Sequence, residues 1–293
     1  MTVLASEHGR GVVHEVIQPG RLKSVTRRPP LGEYVAQLSA RRHFVLADAR
    51  GRVISGTRGT YLGTLWLILQ PLLDGAVYYV IFGLLLGVSR GIDNFVGYLL
   101  IGVFLFHYTS RSLNRGAQSL IGGRNLIKAF AFPRAALPLA TVAREAIALL
   151  PVIGVLLVLV LALPPTEAVT WRWLLLPLVL VLQSGFNLGL ALIAARATAR
   201  IPDLQHVIGF GIRFWLYGSA VFFSYDQFVD HPTLLRVLEL NPMFVVLDMA
   251  RDLLLYATLP DIGSWAVLLG WTVIVLGGGF VFFWRGEESY GGA

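Results

Sequence analysis

Residues 136–163, "ALPLATVAREAIALLPVIGVLLVLVLAL", carry one arginine and one glutamate and are otherwise almost wholly apolar. A stretch of this kind dictates its surroundings. About 20 apolar residues in a helix cross the ~30 Å hydrocarbon core of a bilayer, and there the backbone must satisfy its own polar groups. Comparable stretches lie at 62–87, 94–113, 173–195, 207–224 and 263–284. The expected fold is therefore an all-α integral membrane protein with six transmembrane helices. Arg213 and Tyr217 interrupt the fifth span, and Pro71, Pro138, Pro151 and Pro177 fall inside spans, which membrane helices tolerate when neighbours bond the freed carbonyls. Composition agrees: 56% of residues are apolar and 14% charged, against about 25% charged in soluble domains.

Basic residues orient the spans, because Lys and Arg are retained on the cytoplasmic side. With six spans both termini share one side. Ten bases in 1–60, five in 111–134, three in 196–213 and Arg285 lie there, against Arg90, Arg172, Arg236 and Arg251 in the opposite loops. Those loops hold Asp93, Glu167, Asp226, Asp230, Glu239, Asp248, Asp252 and Asp261. Both termini are expected in the cytoplasm, and the net charge of +7 is a topology signal rather than a nucleic-acid footprint.

Four regions follow. Residues 1–30 read as a flexible cytoplasmic tail with no cleavable signal peptide. Residues 31–60 read as an interfacial amphipathic helix and linker, in which Leu31, Tyr34, Val35, Leu38, Val45 and Ala49 share a face and Arg41, Arg42 and Arg50 supply charge. An ordinary helix packed on a partner is the other reading of that segment. Residues 61–286 form the six-span domain, and 287–293 a cytoplasmic tail.

Between spans five and six the outer segment is too polar to cross. Asn241 caps and Pro242 opens a helix there, with Asp248, Arg251 and Asp252 on one face. At about thirteen residues, or ~20 Å, it is read as a short re-entrant helix, and 232–240 as a second short arm.

Several chemistries are missing from the sequence. There is no Gly-x-x-x-x-Gly-Lys-Ser/Thr phosphate loop, no paired histidine spacing for a metal, no nucleophile elbow and no cysteine. Inside the spans the acids that could relay protons reduce to Asp74 and the Glu145 of the Arg144–Glu145 pair. That pair is read as held by a neighbouring helix rather than as a proton relay. Gly83/Gly87 and Gly185/Gly189 have the spacing that lets helices approach, a weak signal in a chain with 31 glycines.

Three stretches in order carry a resemblance. They are "YLGTLWLILQPLL" (61–73), "IGVFLFHYTSRSLNRGAQSLIGGRNLIKAFAFPRAALPLA" (101–140) and "LNPMFVVLDMARDLLL" (240–255). Together they resemble the Wzm/TagG/KpsM-like transmembrane permease subunits of polysaccharide and teichoic-acid ABC exporters, over roughly 33–285. The chain departs from that pattern at "GTRGTY", where Arg58 and Tyr61 are partial matches, and in having no Trp near Phe106 and His107.

The resemblance implies a homodimer bound to two copies of a separate nucleotide-binding ATPase subunit. The chain itself would need no cofactor and would not be an enzyme; ATP and Mg would belong to the partner. The substrate would be a polyprenyl-diphosphate-linked glycan of O-antigen, galactan or teichoic-acid type, exported through the bacterial inner membrane. A drug or simple-lipid ABC permease is the first alternative and a membrane-embedded glycosyltransferase the second.

The segment between spans two and three then reads as the coupling helix: Asn125 as its cap, Leu126, Ile127, Phe130 and Phe132 as an apolar plug, Lys128 and Arg134 as its rim, and Pro133 at its end. Arg58, Tyr61, Leu62 and Gly63 are expected at the cytoplasmic gate, beside a lipid headgroup. Because sugars stack on aromatic faces, Tyr78, Tyr79, Phe82, Phe104, Phe106, Tyr108, Trp215 and Tyr217 are the candidate channel lining, and Asn241, Pro242, Asp248 and Arg251 mark the re-entrant helix.

Overall fold

A computed structural model describes residues 29–55, 62–85, 92, 94–129, 132–163, 167–223, 225 and 237–291. Every regular element among them is helical. The segment after Pro30 is two helices, α1 (Leu31–Ala40) and α2 (Arg42–Ser55), broken at Arg41. The single helix expected from Leu31 onward is thus divided. The two pieces also bury their apolar residues against different parts of the bundle: Tyr34 of α1 joins Leu137 and Phe283, while Val45 of α2 joins Ala136 and Ala140.

Gly63, at φ +50°, turns the chain into α3 (Trp66–Tyr78), which widens into π-helical turns over Tyr79–Leu85. Next come α4 (Phe95–Gly122), the six-residue α5 (Arg124–Ala129) and α6 (Ala136–Ala162). A 3-10 turn, Trp171–Leu175, leads into α7 (Leu176–Arg200), followed by α8 (Leu204–Tyr217), α9 (Pro242–Leu254) and α10 (Ile262–Arg285). Asn94 and Asp261 cap α4 and α10 by accepting from the amides of Gly97 and Gly263 at 2.9 and 2.8 Å.

Among the described residues three segments are long and apolar enough to cross a membrane: Ala136–Ala162, Trp171–Arg200 and Ile262–Arg285. α4 has the length, but His107 lies near its middle and Arg111, Asn114 and Arg115 in its second half. The expected fifth span, 207–224, is shorter as a helix. α8 has 14 residues, about 21 Å, and ends at Gly218, with Ala220 at φ +51°.

The core is built on α4 and α7. Gly116 of α4 approaches Ala191 of α7 so closely that a Cβ on the glycine would lie 2.9 Å from the Ala191 Cα. On the other side of α7, a Cβ on Gly279 of α10 would lie 2.6 Å from the Gly189 carbonyl oxygen, and one on Gly185 would lie 2.9 Å from the Thr272 methyl. The Gly185/Gly189 spacing therefore does bring backbones together. A polar seam ties α7 to α4: Gln183 donates to the Leu105 carbonyl at 2.9 Å and Thr109 Oγ1 at 3.0 Å, and Tyr108 bonds Ser184 at 2.8 Å.

The bundle has two polar ends. At one, Asn94 donates to Glu167 at 2.9 Å, and the start of α4 meets the end of α9. At the other, the end of α4, α5, the start of α6, α1 and the end of α10 converge.

Candidate functional site at the basic end of the bundle

The second end collects the residues on which the sequence concentrated its bases. α5 begins at Arg124, so Asn125 is its second residue and not its cap; the Ile127 amide bonds back to the Gly123 carbonyl at 3.0 Å. Leu126, Ile127 and Phe132 are half-buried on their own chain, in the cluster containing Leu120 and Tyr290. The Phe132 ring lies 6.4 Å from that of Phe44 in α2. The face of α5 left to solvent is therefore polar: Arg124, Asn125 and Lys128. Phe130 lies outside the described residues, as do Arg58 and Tyr61, while Leu62 is exposed beside Gly63.

Beyond α5 a buried latch joins three distant parts of the chain. The Tyr34 hydroxyl donates to Glu287 Oε2 at 2.8 Å and accepts from the Ala135 amide at 3.1 Å. The Arg134 amide donates to Glu287 Oε1 at 2.9 Å, and the Arg134 guanidinium bonds the Glu287 carbonyl. Trp284 donates to the Pro29 carbonyl at 3.0 Å. Burial pushes the Glu287 carboxyl above the usual glutamate range, opposed by the amide and side chain of Arg134 and by Tyr34. Burial, then the Glu287 charge, pushes the Tyr34 phenol far up, so it stays a neutral donor. Residues 287–291, expected to be a tail, form a 3-10 turn clamped between α1 and the loop before α6. The sequence carried no sign of this, because the Glu pair after the last span has no periodicity and the Tyr34 partner of Glu287 is 253 positions away.

The candidate aromatics do not form one surface in a single chain. Phe106 and Tyr108 are buried, Tyr78, Tyr79 and Trp215 are half-buried and Tyr217 is exposed; Phe82 is described only as backbone. Phe104 is buried beside a cavity between α3 and α6. Trp215 packs edge-on to Phe106 at 5.8 Å and donates to Asn241 at 2.9 Å.

Asn241 does cap α9, accepting from the Met243 amide at 3.1 Å, and Pro242 takes the first helical position. Asn241 Nδ2 also donates to the Gly218 carbonyl at 2.6 Å, and Trp271 of α10 donates to the Leu240 carbonyl at 2.9 Å. Trp271 stands nine residues inside α10, about 13 Å from its start, so α9 begins deep in the bundle and runs outward. The residues 232–236 of the expected second arm lie outside the described ones. Asp248 and Asp252 are half-buried, whereas Arg251 is 1% exposed. Its Nη2 lies 3.0 Å from the Ala220 carbonyl and 3.3 Å from that of Tyr98. Its guanidinium sits 3.2 Å from the Tyr98 ring centroid.

Among the described residues no group of three or more His, Asp or Glu could hold a metal ion. The arrangement offers packing, capping and charge.

The ABC-2 type transporter family matches residues 51–255. The chain is 27% identical over 256 residues to the O-antigen export system permease protein RfbA of Myxococcus xanthus, covering 87% of this chain and 97% of that one. It is 28% identical over 202 residues to the protein of the same name from Klebsiella pneumoniae, covering 69% and 76%.

Proposed function

Because the chain belongs to the ABC-2 type transporter family, we propose that it is the membrane-spanning subunit of an exporter for a lipid-linked polysaccharide of O-antigen, galactan or teichoic-acid type. The observation that carries this reading is the similarity to O-antigen export permeases over most of both chains. It sits in the bacterial cytoplasmic membrane, with both termini inside, and works as a homodimer with two copies of a separate ATPase subunit that binds ATP and Mg. The chain does no chemistry of its own.

Six crossings fit the geometry. α3 with its π-helical turns, α4, α6, α7 and α10 make five. α8 with the irregular backbone after Gly218 makes the fifth in chain order. Unwound backbone at membrane depth is tolerated when protein groups satisfy it, and Tyr98 and Arg251 do this here. α9 is the return arm of a re-entrant hairpin, consistent with the depth of Asn241. The basic end faces the cytoplasm.

There α5 is the coupling helix. Arg124, Asn125 and Lys128 meet the ATPase; Leu126, Ile127 and Phe132 fasten α5 to its own bundle; and Pro133 and Arg134 pass its movement to α6 through the latch. Leu62 and Gly63, with Arg58 and Tyr61, form the gate beneath α3. Tyr78, Tyr79, Phe82, Phe104, Phe106, Tyr108, Trp215 and Tyr217 border the sugar path between the two copies.

The test is co-expression with a Walker-type ATPase sought in the neighbouring reading frames. Affinity-tagged permease retains that ATPase, and the double variant Asn125→Asp/Lys128→Glu loses it while keeping its melting temperature. A permease that transports its cargo alone in liposomes overturns the reading.

A further inference from the structure

A cavity of about 430 Å³ opens between α2, α3, α4 and α6, within the ~300–1,000 Å³ of small-ligand sites. One wall is cationic. Arg111 and Arg115, one turn apart on α4, and Arg144 on α6 surround a single carboxylate, Glu145. Glu145 is 1% exposed and lies at the base of the group, 3.5 Å from Arg111 Nε, 3.9 Å from Arg144 Nε and in a close pair with Arg115. The three arginine side chains stay 37%, 45% and 27% exposed. Asp74 faces the cavity from α3 and pairs with no base within 4.0 Å among the described residues. Trp66, Leu67 and Pro71 of α3 and Ala148 and Val152 of α6 give the cavity an apolar lining as well, alongside Gln70.

Three guanidiniums around one carboxylate are not what packing requires. One guanidinium balances the charge of a buried carboxylate, and apolar residues of similar volume would fill the space at less cost. Arginines one turn apart on a helix repel. Ionisable groups at membrane depth are expensive and mark ligand paths. Glu145 holds the guanidiniums in place without neutralising them, so positive charge faces the cavity next to an apolar wall. Guanidinium forks match phosphate oxygens in pairs.

We propose that this cavity binds the phosphate or diphosphate oxyanion of an amphiphile, with Arg111, Arg115 and Arg144 on the phosphate and the apolar wall of α3 and α6 along the first carbons of its hydrocarbon chain. Its assignment to the carried lipid-linked glycan rests on the export reading above; the oxyanion chemistry does not. The cavity holds a headgroup and not a polymer, so it selects cargo by its anchor.

The test uses the permease assembled with its ATPase in phosphate-free maltoside micelles. The probes are farnesyl diphosphate, farnesyl monophosphate, farnesol, inorganic pyrophosphate and phosphatidylglycerol, read by thermal shift and by quenching of tryptophan fluorescence, which Trp66→Phe reduces. Farnesyl diphosphate binds saturably and farnesol does not. Arg115→Gln and Arg144→Gln each weaken binding about tenfold or more, Arg144→Lys by less, and Asp74→Asn strengthens it. The opposite sign of the Asp74 variant separates binding from misfolding. Equal binding of farnesol and farnesyl diphosphate, or affinity unmoved by all these variants, overturns the proposal.

Phosphatidylglycerol displacing farnesyl diphosphate at equal affinity keeps the oxyanion site and gives it to membrane lipid, overturning the cargo assignment. So does wild-type delivery of glycan to the cell surface by variants that no longer bind diphosphate, which leaves the export reading standing. A wild-type chain that binds diphosphate but exports no glycan sinks the export reading and leaves the site.

Discussion

Arg251 is the residue whose environment departs most from its sequence context. The spacing puts it on a polar face with Asp248 and Asp252; the structure buries it and turns it toward the carbonyls of Ala220 and Tyr98. The cause lies in another segment. The chain leaves helical geometry after Gly218, and its carbonyls need donors where water is scarce. Replacing Arg251 with Met removes those donors and should destabilise the protein by about 2–4 kcal/mol, seen as a lower melting temperature in detergent. The same segment holds Ala220 at φ +51°, where glycine is the easier residue. Ala220→Gly should be neutral to slightly stabilising in the same measurement, and Ala220→Val clearly destabilising.

Among elements, the closest approach joins α7 to α10. A side chain at Gly189 would run into the backbone at Val275, and the reverse holds for Gly279 against Gly189. Gly189→Val should push the two helices apart and prevent stable insertion, read as loss of the monodisperse peak in size exclusion. Gly270→Val, with open space around its Cβ position, should be tolerated.

The latch is the second device at this scale. Because burial raises the Glu287 pKa, the folded state binds a proton there more tightly than the unfolded chain does. Stability from this group is therefore greatest at low pH and falls as pH rises through and above the usual glutamate value of about 4.3. Melting curves from pH 4 to 8 should show that slope in the wild type and lose most of it in Glu287→Gln. An unchanged slope in the variant would mean that the latch carboxylate is not the titrating group.

For the molecule as a whole, the testable statement is which end faces the cytoplasm. The chain has no cysteine, so single-cysteine variants report position without background. Asp261→Cys, at the cap of α10, should react with a membrane-impermeant maleimide in intact spheroplasts. Lys128→Cys, on the exposed face of α5, should react only after permeabilisation, and more slowly once the ATPase is bound. The reverse pattern would invert the topology.

What the sequence determined by itself is whatever depends on near neighbours or on summed composition. The apolar stretches at 136–163, 173–195 and 263–284 correspond to the long apolar helices, because twenty greasy residues carry their own environment with them. The Asn241–Pro242 start of α9 was legible for the same reason: a cap is made within three residues. The Arg144–Glu145 pair could be read as held by a neighbour, though not that Arg111 and Arg115 do the holding. Tertiary structure alone decided the break at Arg41, the shortness of α8, the inward turn of Leu126 and Ile127, and the meeting of Tyr34 with Glu287. Each of these depends on groups brought together from distant positions, and hydrophobic burial and hydrogen bonding act on distance in space, which periodicity along the chain does not encode.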